Sequence, residues 1–323
     1  MKEFLISDRQ AGQRLDKYLA KVLDRAPKSF LYKMMRKKNI VLNDKKADGK
    51  EILQKNDAVR IYFSDETFAR FSSGGTGTER AAMKNRSVDR TNPQIIYENE
   101  DFLFVDKPAG VLSQKAKDTD DSINEWAIRY LLRSGQLKEE DLTDFRPSIG
   151  NRLDRNTSGL ITVGKTVSGL QQLGIWFHDH TAKKYYRCIV AGEIRSEGEL
   201  DGYLIKDAKT NQVRITEKEE SGAQRISLSF RPVANYAGYT DLEILLKTGR
   251  THQIRAQMAQ MGNPILGDPK YGDRKRNGAW KTKTGLSRQL LHAYRLALPD
   301  GRIMEAPLPE DYRSVLDSLQ DMD

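Results

Sequence analysis

The stretch from Ser64 to Asn92 constrains this chain more than any other feature: it contains Ser-Ser-Gly-Gly-Thr-Gly-Thr and few large apolar side chains. Such a segment buries too little apolar surface to hold a fixed shape alone, so it reads as a flexible linker. The chain on either side must then form two units, residues 1–63 and residues 93–323, each around its own core. With 323 residues, 38% of them apolar, there is material for one small and one large domain.

In the first unit Leu15, Leu19, Val22 and Leu23 recur at helical spacing. Pro27 interrupts, and Ser29 is placed to cap a second helix. That helix would carry Phe30, Leu31, Met34 and Met35 on one side and Lys33, Arg36 and Lys37 on the other. Strand-like runs follow at Ile40–Leu42 and Val59–Tyr62, with an Asn-Asp turn between them.

The second unit is dominated by short strand-like runs: Gln94–Tyr97, Phe102–Val105, Gly159–Val163, Lys184–Val190, Ile226–Phe230 and Leu242–Leu246. Tyr236-Ala237-Gly238-Tyr239 reads as a hairpin turn between the last two. Leu170, Leu173 and Phe177 predict a helix, and another is expected from a Thr251 cap to Met261, stopped by Gly262. Strands joined by short turns, with helices interspersed, predict an α+β fold on a mainly antiparallel sheet. The segment from Lys270 to Arg288 is basic and reads either as a surface that touches nucleic acid or as a mobile loop.

Charge separates the units further. Residues 1–63 hold eleven Lys and five Arg against eight acids, a net +8 of the chain's formal +9. A basic imbalance confined to one unit points to a polyanionic partner, nucleic acid first. With Cys188 as the single cysteine, an internal disulfide or a cysteine metal cage is ruled out. No apolar run approaches the roughly 18 residues of a membrane span, and the first residues lack a signal-peptide core. The expectation is a cytoplasmic protein without a membrane partner, and a monomer by default. His178 and His180 have no third ligand near in sequence, so they read as an exposed helix end rather than a metal site. Trp126, Trp176 and Trp280 read as packing residues, and Gly249 and Gly267 as turn residues.

The chemistry concentrates at Asn151-Arg152-Leu153-Asp154-Arg155-Asn156-Thr157-Ser158-Gly159-Leu160. One carboxylate lies between two arginines, at a loop that Gly159 turns into a strand. Flanking guanidinium groups favour the ionised carboxylate, which can attack an anomeric carbon or take a proton. Arginines beside it can hold phosphate. The bland alternative is a surface Arg–Asp pair at a turn.

This segment resembles the His-Arg-Leu-Asp-x-x-Thr-Ser-Gly-Leu signature of the RluA family of pseudouridine synthases, departing from it at Asn151. Further segments agree in order: Ile96–Asp101 with Val105-Asp106-Lys107-Pro108-Ala109-Gly110, Lys183-Lys184-Tyr185-Tyr186, Lys247–Arg255, Asn263–Asp268 with Tyr271-Gly272, and Leu291-His292-Ala293. The resemblance spans almost all of residues 93–312. It implies a pseudouridine synthase fold and a cofactor-free, metal-free isomerisation of uridine in structured RNA. It assigns Asp154 the chemistry, Arg255 the pairing of that carboxylate, and Tyr186 the packing against uracil. Arg152 would fill the space left by the flipped uridine, while Arg155, Lys107, Arg250 and His252 would contact RNA. The first unit, through Arg14-Leu15-Asp16-Lys17-Tyr18-Leu19, its basic helix and Ile40-Val41-Leu42-Asn43, resembles the αL RNA-binding module of the S-four type. There Arg14, Lys33, Arg36 and Lys37 would meet phosphates. Family members with this module usually act on large-subunit (23S) ribosomal RNA or its precursor particles. A tRNA enzyme of the same family and a non-catalytic ribosome-assembly factor are the alternatives.

Overall fold

The computed structural model describes residues 1–72 except residue 9, and 92–322 except residues 118, 144 and 208–212. Residues 73–91 of the expected linker therefore lie outside the described residues.

The first unit builds one core from two amphipathic helices and a small sheet. Helix α1 (Leu15–Val22) buries Leu15, Tyr18, Leu19 and Val22; α2 (Lys28–Arg36) buries Leu31, Met34 and Met35 and leaves Lys33 and Arg36 in solvent. The expected Ser29 cap is two residues too late: Pro27 is the N-cap and the helix starts at Lys28. Proline suits that place because its fixed φ and missing N–H cost nothing where no intrahelical bond is due. Strands β1 (Lys2–Leu5), β2 (Ile40–Leu42), β3 (Lys45–Lys46) and β4 (Ala58–Ile61) pair in the order β1-β4-β2-β3. The Asn-Asp turn joins β2 to β3, with Asn43 and Asp44 both at positive φ, as a tight two-residue hairpin requires.

The start of the expected linker is corrected by a third helix, α3 (Asp65–Phe71), whose Ser64 cap accepts the Thr67 N–H at 3.2 Å. Its Phe68 and Phe71 pack on the first unit's core, with Phe30 and Phe71 centroids 4.3 Å apart. Two aromatic rings three positions apart on one helix were enough to make those residues part of a core.

The second unit is built on an eleven-stranded sheet. Its strands are β5 (Gln94–Glu98), β6 (Phe102–Lys107), β7 (Ser148–Ile149), β8 (Ser158–Gly164), β9 (Lys183–Ala191), β10 (Gly198–Lys206), β11 (Val213–Thr216), β12 (Gln224–Tyr236), β13 (Tyr239–Leu246), β14 (Leu291–Ala297) and β15 (Ile303–Glu305). The main order is β11-β10-β12-β13-β9-β14-β8-β6-β5, with β15 on β14 and β7 on β8. All pairings are antiparallel except β14 with β8. Helices α4 (Ile123–Arg133), α5 (Val167–His178), α6 (Gln253–Gln260), α7 (Arg274–Thr284) and α8 (Glu310–Gln320) pack around it. The fold is α+β, as expected.

Strand β8 is buried at all seven positions, which explains why it reads as a continuous apolar run rather than an alternating one. Gly159, at its start, has φ +115, and a Cβ there would lie 2.2 Å from the carbonyl oxygen of Ala293 on β14. No other residue fits that crossing. The Lys270–Arg288 segment is not a loop: Asp273 caps α7, and Trp280 anchors it in the core. Helix α6 begins one residue later than expected, with His252 rather than Thr251 as N-cap, in the left-handed region at φ 53. Trp126 is buried, as is Cys188 at the centre of β9.

Candidate active site

Three segments meet in a cleft of roughly 610 Å³: the loop Gly150–Thr157 before β8, the start of β9, and the turn Thr248–Arg255 that enters α6. That volume falls within the range of about 300–1,000 Å³ typical of sites that enclose a small ligand.

The loop is held from all sides by polar contacts. Asn151 accepts the Thr162 N–H at 2.8 Å and donates to the Leu160 carbonyl at 3.1 Å. The residue that departs from the signature therefore staples the loop to β8. Ser113 Oγ accepts the Leu153 N–H and donates to the Leu153 carbonyl, at 3.0 and 2.8 Å. Arg288 donates to the Asn156 carbonyl, and Gln289 to the Thr157 hydroxyl.

Lys107 corrects an expectation. It is fully buried and cannot contact RNA; its Nζ donates to the carbonyls of Pro108, Val111 and Arg155, each at 2.9 Å. It ties the turn after β6 to the loop one residue past Asp154. Burial, then the nearby Arg288, pushes its pKa down to about 7. Against that pull stand three carbonyl acceptors, which need all three protons of the ammonium.

Asp154 emerges with its side chain 27% exposed. Its Oδ2 accepts from Arg255 Nη1 at 2.8 Å. The flanking Arg152 and Arg155 are exposed and make no ion pair with it; its cationic partner comes from α6 instead. Arg255 is itself clamped. Its Nε and Nη2 donate to the two oxygens of buried Asp268 at 2.7 and 2.9 Å. Asp268 also accepts the N–H groups of Lys270 and Tyr271. Burial works to raise the Asp268 pKa, yet the Arg255 bonds and charge outweigh it and hold the carboxyl below its ordinary value. Such a bidentate fork fixes the plane of the guanidinium, so its third nitrogen is aimed at Asp154.

His252 Nε2 lies 3.8 Å from the same Oδ2, and its Nδ1 lies 3.0 Å from the Tyr271 hydroxyl. Burial lowers the His252 pKa, favouring the neutral ring. Tyr186, 6% exposed on β9, lines the cleft; burial and the Asp154 charge push its phenol pKa up, so it keeps its proton. Arg250 is exposed on the cleft wall, where Gln253 organises the turn by accepting the Thr248 hydroxyl and the Arg250 N–H. His178 and His180 also line the cleft and are exposed, and among the described residues no cluster of three or more His, Cys, Asp or Glu is placed to hold a metal.

The structure thus brings Asp154, Tyr186, Arg255, Arg152, Arg250 and His252 to one cleft. In the first unit Lys33, Arg36 and Lys37 are exposed, while Arg14 is tied to Asp16 at 3.0 Å. Sequence reasoning missed Ser113, Asp268, Tyr271 and Arg288 as supports. Asp268 and Tyr271 lay inside a quoted motif, but nothing in the sequence linked them to Arg255.

The chain is similar to known proteins throughout its length. A sequence model of the family described as RNA pseudouridylate synthase matches residues 101–260. The ribosomal large subunit pseudouridine synthase C of Pasteurella multocida is 30% identical, over 99% of this chain and 94% of that protein. The ribosomal large subunit pseudouridine synthase D of Neisseria meningitidis is 28% identical, over 96% of this chain and 79% of its own length. Among solved structures, human RNA pseudouridylate synthase domain containing 4 shares the fold, with a TM-score of 0.58 and 18% identity over 75% of this chain and 96% of that one. No described helix is long and apolar enough to cross a membrane. By these likenesses, and by the order of its motifs, the chain belongs to the RluA family of RNA pseudouridine synthases.

Proposed function

We propose that Asp154 is the carboxylate that acts at the ribose of a uridine flipped into the cleft, and that the RNA is large-subunit ribosomal RNA. The observation that carries this reading is a single partly exposed carboxylate, aimed by Arg255 at 2.8 Å and overlooked by Tyr186, in a cleft rimmed by Arg152 and Arg250. The net reaction breaks the bond between ribose C1′ and uracil N1 and forms one between C1′ and C5. N1 gains a proton and C5 loses one, so no redox step, energy source or added group is needed. Asp154 supplies the charge at C1′ or takes a ribose proton. Tyr186, which keeps its proton, packs against the uracil. Arg152 enters the stack that the uridine leaves, offsetting part of an extrusion cost of a few kcal/mol.

Residues 1–63 supply affinity as an αL RNA-binding module: Lys33, Arg36 and Lys37 are exposed on the solvent side of α2 and at its end, where phosphates can reach them. Two observations favour ribosomal over transfer RNA: this basic unit, and the substrates in the names of relatives that match the chain nearly end to end.

The test is tritium release from RNA labelled at C5 of uracil. Large-subunit transcripts and precursor particles should release tritium, and bulk tRNA should not. Release from tRNA alone would replace the substrate; release from neither, with RNA bound, would favour a pure binding role.

A further inference from the structure

The carboxylate of Asp154 is asymmetric in its surroundings. Arg255 Nη1 and His252 Nε2 both face Oδ2, at 2.8 and 3.8 Å, and Oδ1 carries no hydrogen bond among the described residues. What His252 can offer Oδ2 depends on its tautomer, and Tyr271 decides that. The Tyr271 hydroxyl accepts the Val213 N–H at 3.1 Å. Burial raises its pKa, so the phenol keeps one proton to give. Among the described residues the only hydrogen-bond acceptor beside that hydroxyl is His252 Nδ1, 3.0 Å away. Were Nδ1 protonated, the phenol oxygen would receive two N–H donors and its own proton would have no protein acceptor among the described residues, the costlier arrangement in a half-buried place. The proton therefore goes from Tyr271 to Nδ1, and in the neutral ring the remaining N–H sits on Nε2. The ring cannot relax away easily, because its backbone is fixed at φ 53 as the cap of α6 and its edge packs on the Tyr271 ring.

We propose that Tyr271 locks His252 as a neutral Nε2–H donor that steadies Oδ2 of Asp154 and thereby leaves Oδ1 as the oxygen free to act on the ribose. His252 and Tyr271 are then positioning residues. The inference rests on the proposed role of Asp154. At 3.8 Å the contact is not yet a hydrogen bond. Catalytic contacts of this kind often close only once substrate is bound. Tyr271 also lies under Arg255, whose guanidinium sits 5.3 Å from the ring centroid, so one side chain orients both donors to Oδ2.

The experiment reads the ring nitrogens and the turnover separately. In protein labelled with 15N-histidine, without RNA, the four histidines are assigned by substitution. His252 should show a protonated Nε2 and an unprotonated Nδ1. Tyr271→Phe, which keeps the ring under Arg255, should turn that signal into a tautomer mixture and lower kcat on the order of tenfold with KM for RNA unchanged. His252→Gln, whose amide nitrogen reaches the Nε2 position, should stay within about threefold of wild type, while His252→Asn should lose on the order of tenfold. Asn is the easier residue at positive φ, so a loss in Asn but not Gln cannot come from the backbone. A protonated Nδ1 in the wild type, an unchanged tautomer in Tyr271→Phe, or equal turnover in the Gln and Asn variants would overturn the proposal. An inactive wild type would instead strike at the assignment of the reaction, and the ring signals would still decide the tautomer.

Discussion

The loop from Asn151 to Thr157 and the helix from Lys28 to Arg36 both carry cations expected to meet RNA, but they are built in opposite ways. The loop is anchored at nearly every residue, by Ser113, Lys107, Arg288, Gln289 and its own Asn151. The helix fixes only its apolar back, and leaves Lys33 and Arg36 exposed. Bond-making chemistry depends on position to a fraction of an ångström. Phosphate attraction depends on charge and hardly on geometry. One molecule shows both demands, and substitutions should separate them.

The largest separation is expected at Asp268. Asp268→Ala leaves the buried Arg255 without its fork, which costs about 3–5 kcal/mol where a buried pair loses one partner. Activity should fall on the order of a hundredfold, and thermal unfolding should shift down with it. RNA affinity in a filter-binding assay should hardly change. An active, stable Asp268→Ala enzyme would show that Arg255 does not need aiming.

Next in size is the response to pH set by Lys107. Its folded pKa is about 7, below the ordinary lysine value of 10.5. As pH rises through about 7 the ammonium loses a proton, and with it one of three carbonyl contacts that hold the loop. Turnover should therefore decline on the alkaline side. Between that pH and 10.5 the unfolded chain binds the proton more than the folded one, so this group makes stability rise with pH over the same window. Activity and stability moving in opposite directions, read by tritium release and denaturant melts at each pH, is the outcome to look for. If both fell together, Lys107 would not be the group that titrates.

The helix should answer differently. Changing Lys33, Arg36 and Lys37 together to Ala should weaken RNA binding about tenfold near physiological salt and flatten the salt slope by up to roughly two to three units, with kcat intact. A fall in kcat would break the division drawn here. The smallest effect is structural: Ser64→Ala should cost about 1 kcal/mol through loss of the α3 cap, seen as a small downward shift in the melting of the first unit.

How much of this was legible in the sequence follows the same division. Strands with β-branched runs, such as β8 and β9, and the two amphipathic helices of the first unit were readable because a single local period fixes them. Strands β1, β3, β7, β10, β11, β14 and β15 and the helices α4, α7 and α8 were not read: β10 is half-exposed along its length, and α7 offers solvent a nearly continuous polar surface, with Trp280 its one buried side chain. Asp154, Tyr186 and Arg255 were found by motif. Their supports were not, because Ser113 and Arg288 touch the loop across 40 and 132 residues of sequence. Lys107 was misread for a related reason. A lysine in a turn reads as solvent-facing, and only the closure of β6 on β8 shows that its ammonium is enclosed by carbonyls.

The most direct test of the account compares wild type with Asp154→Asn and Asp154→Ala, mixing excess enzyme with tritium-labelled large-subunit RNA and following a single turnover beside a binding titration. The account predicts that both variants bind RNA like the wild type and release tritium at least about a thousandfold more slowly, the loss expected when an activated nucleophile or base is removed. Turnover by Asp154→Ala within about tenfold of wild type would show that the chemistry resides elsewhere in the cleft.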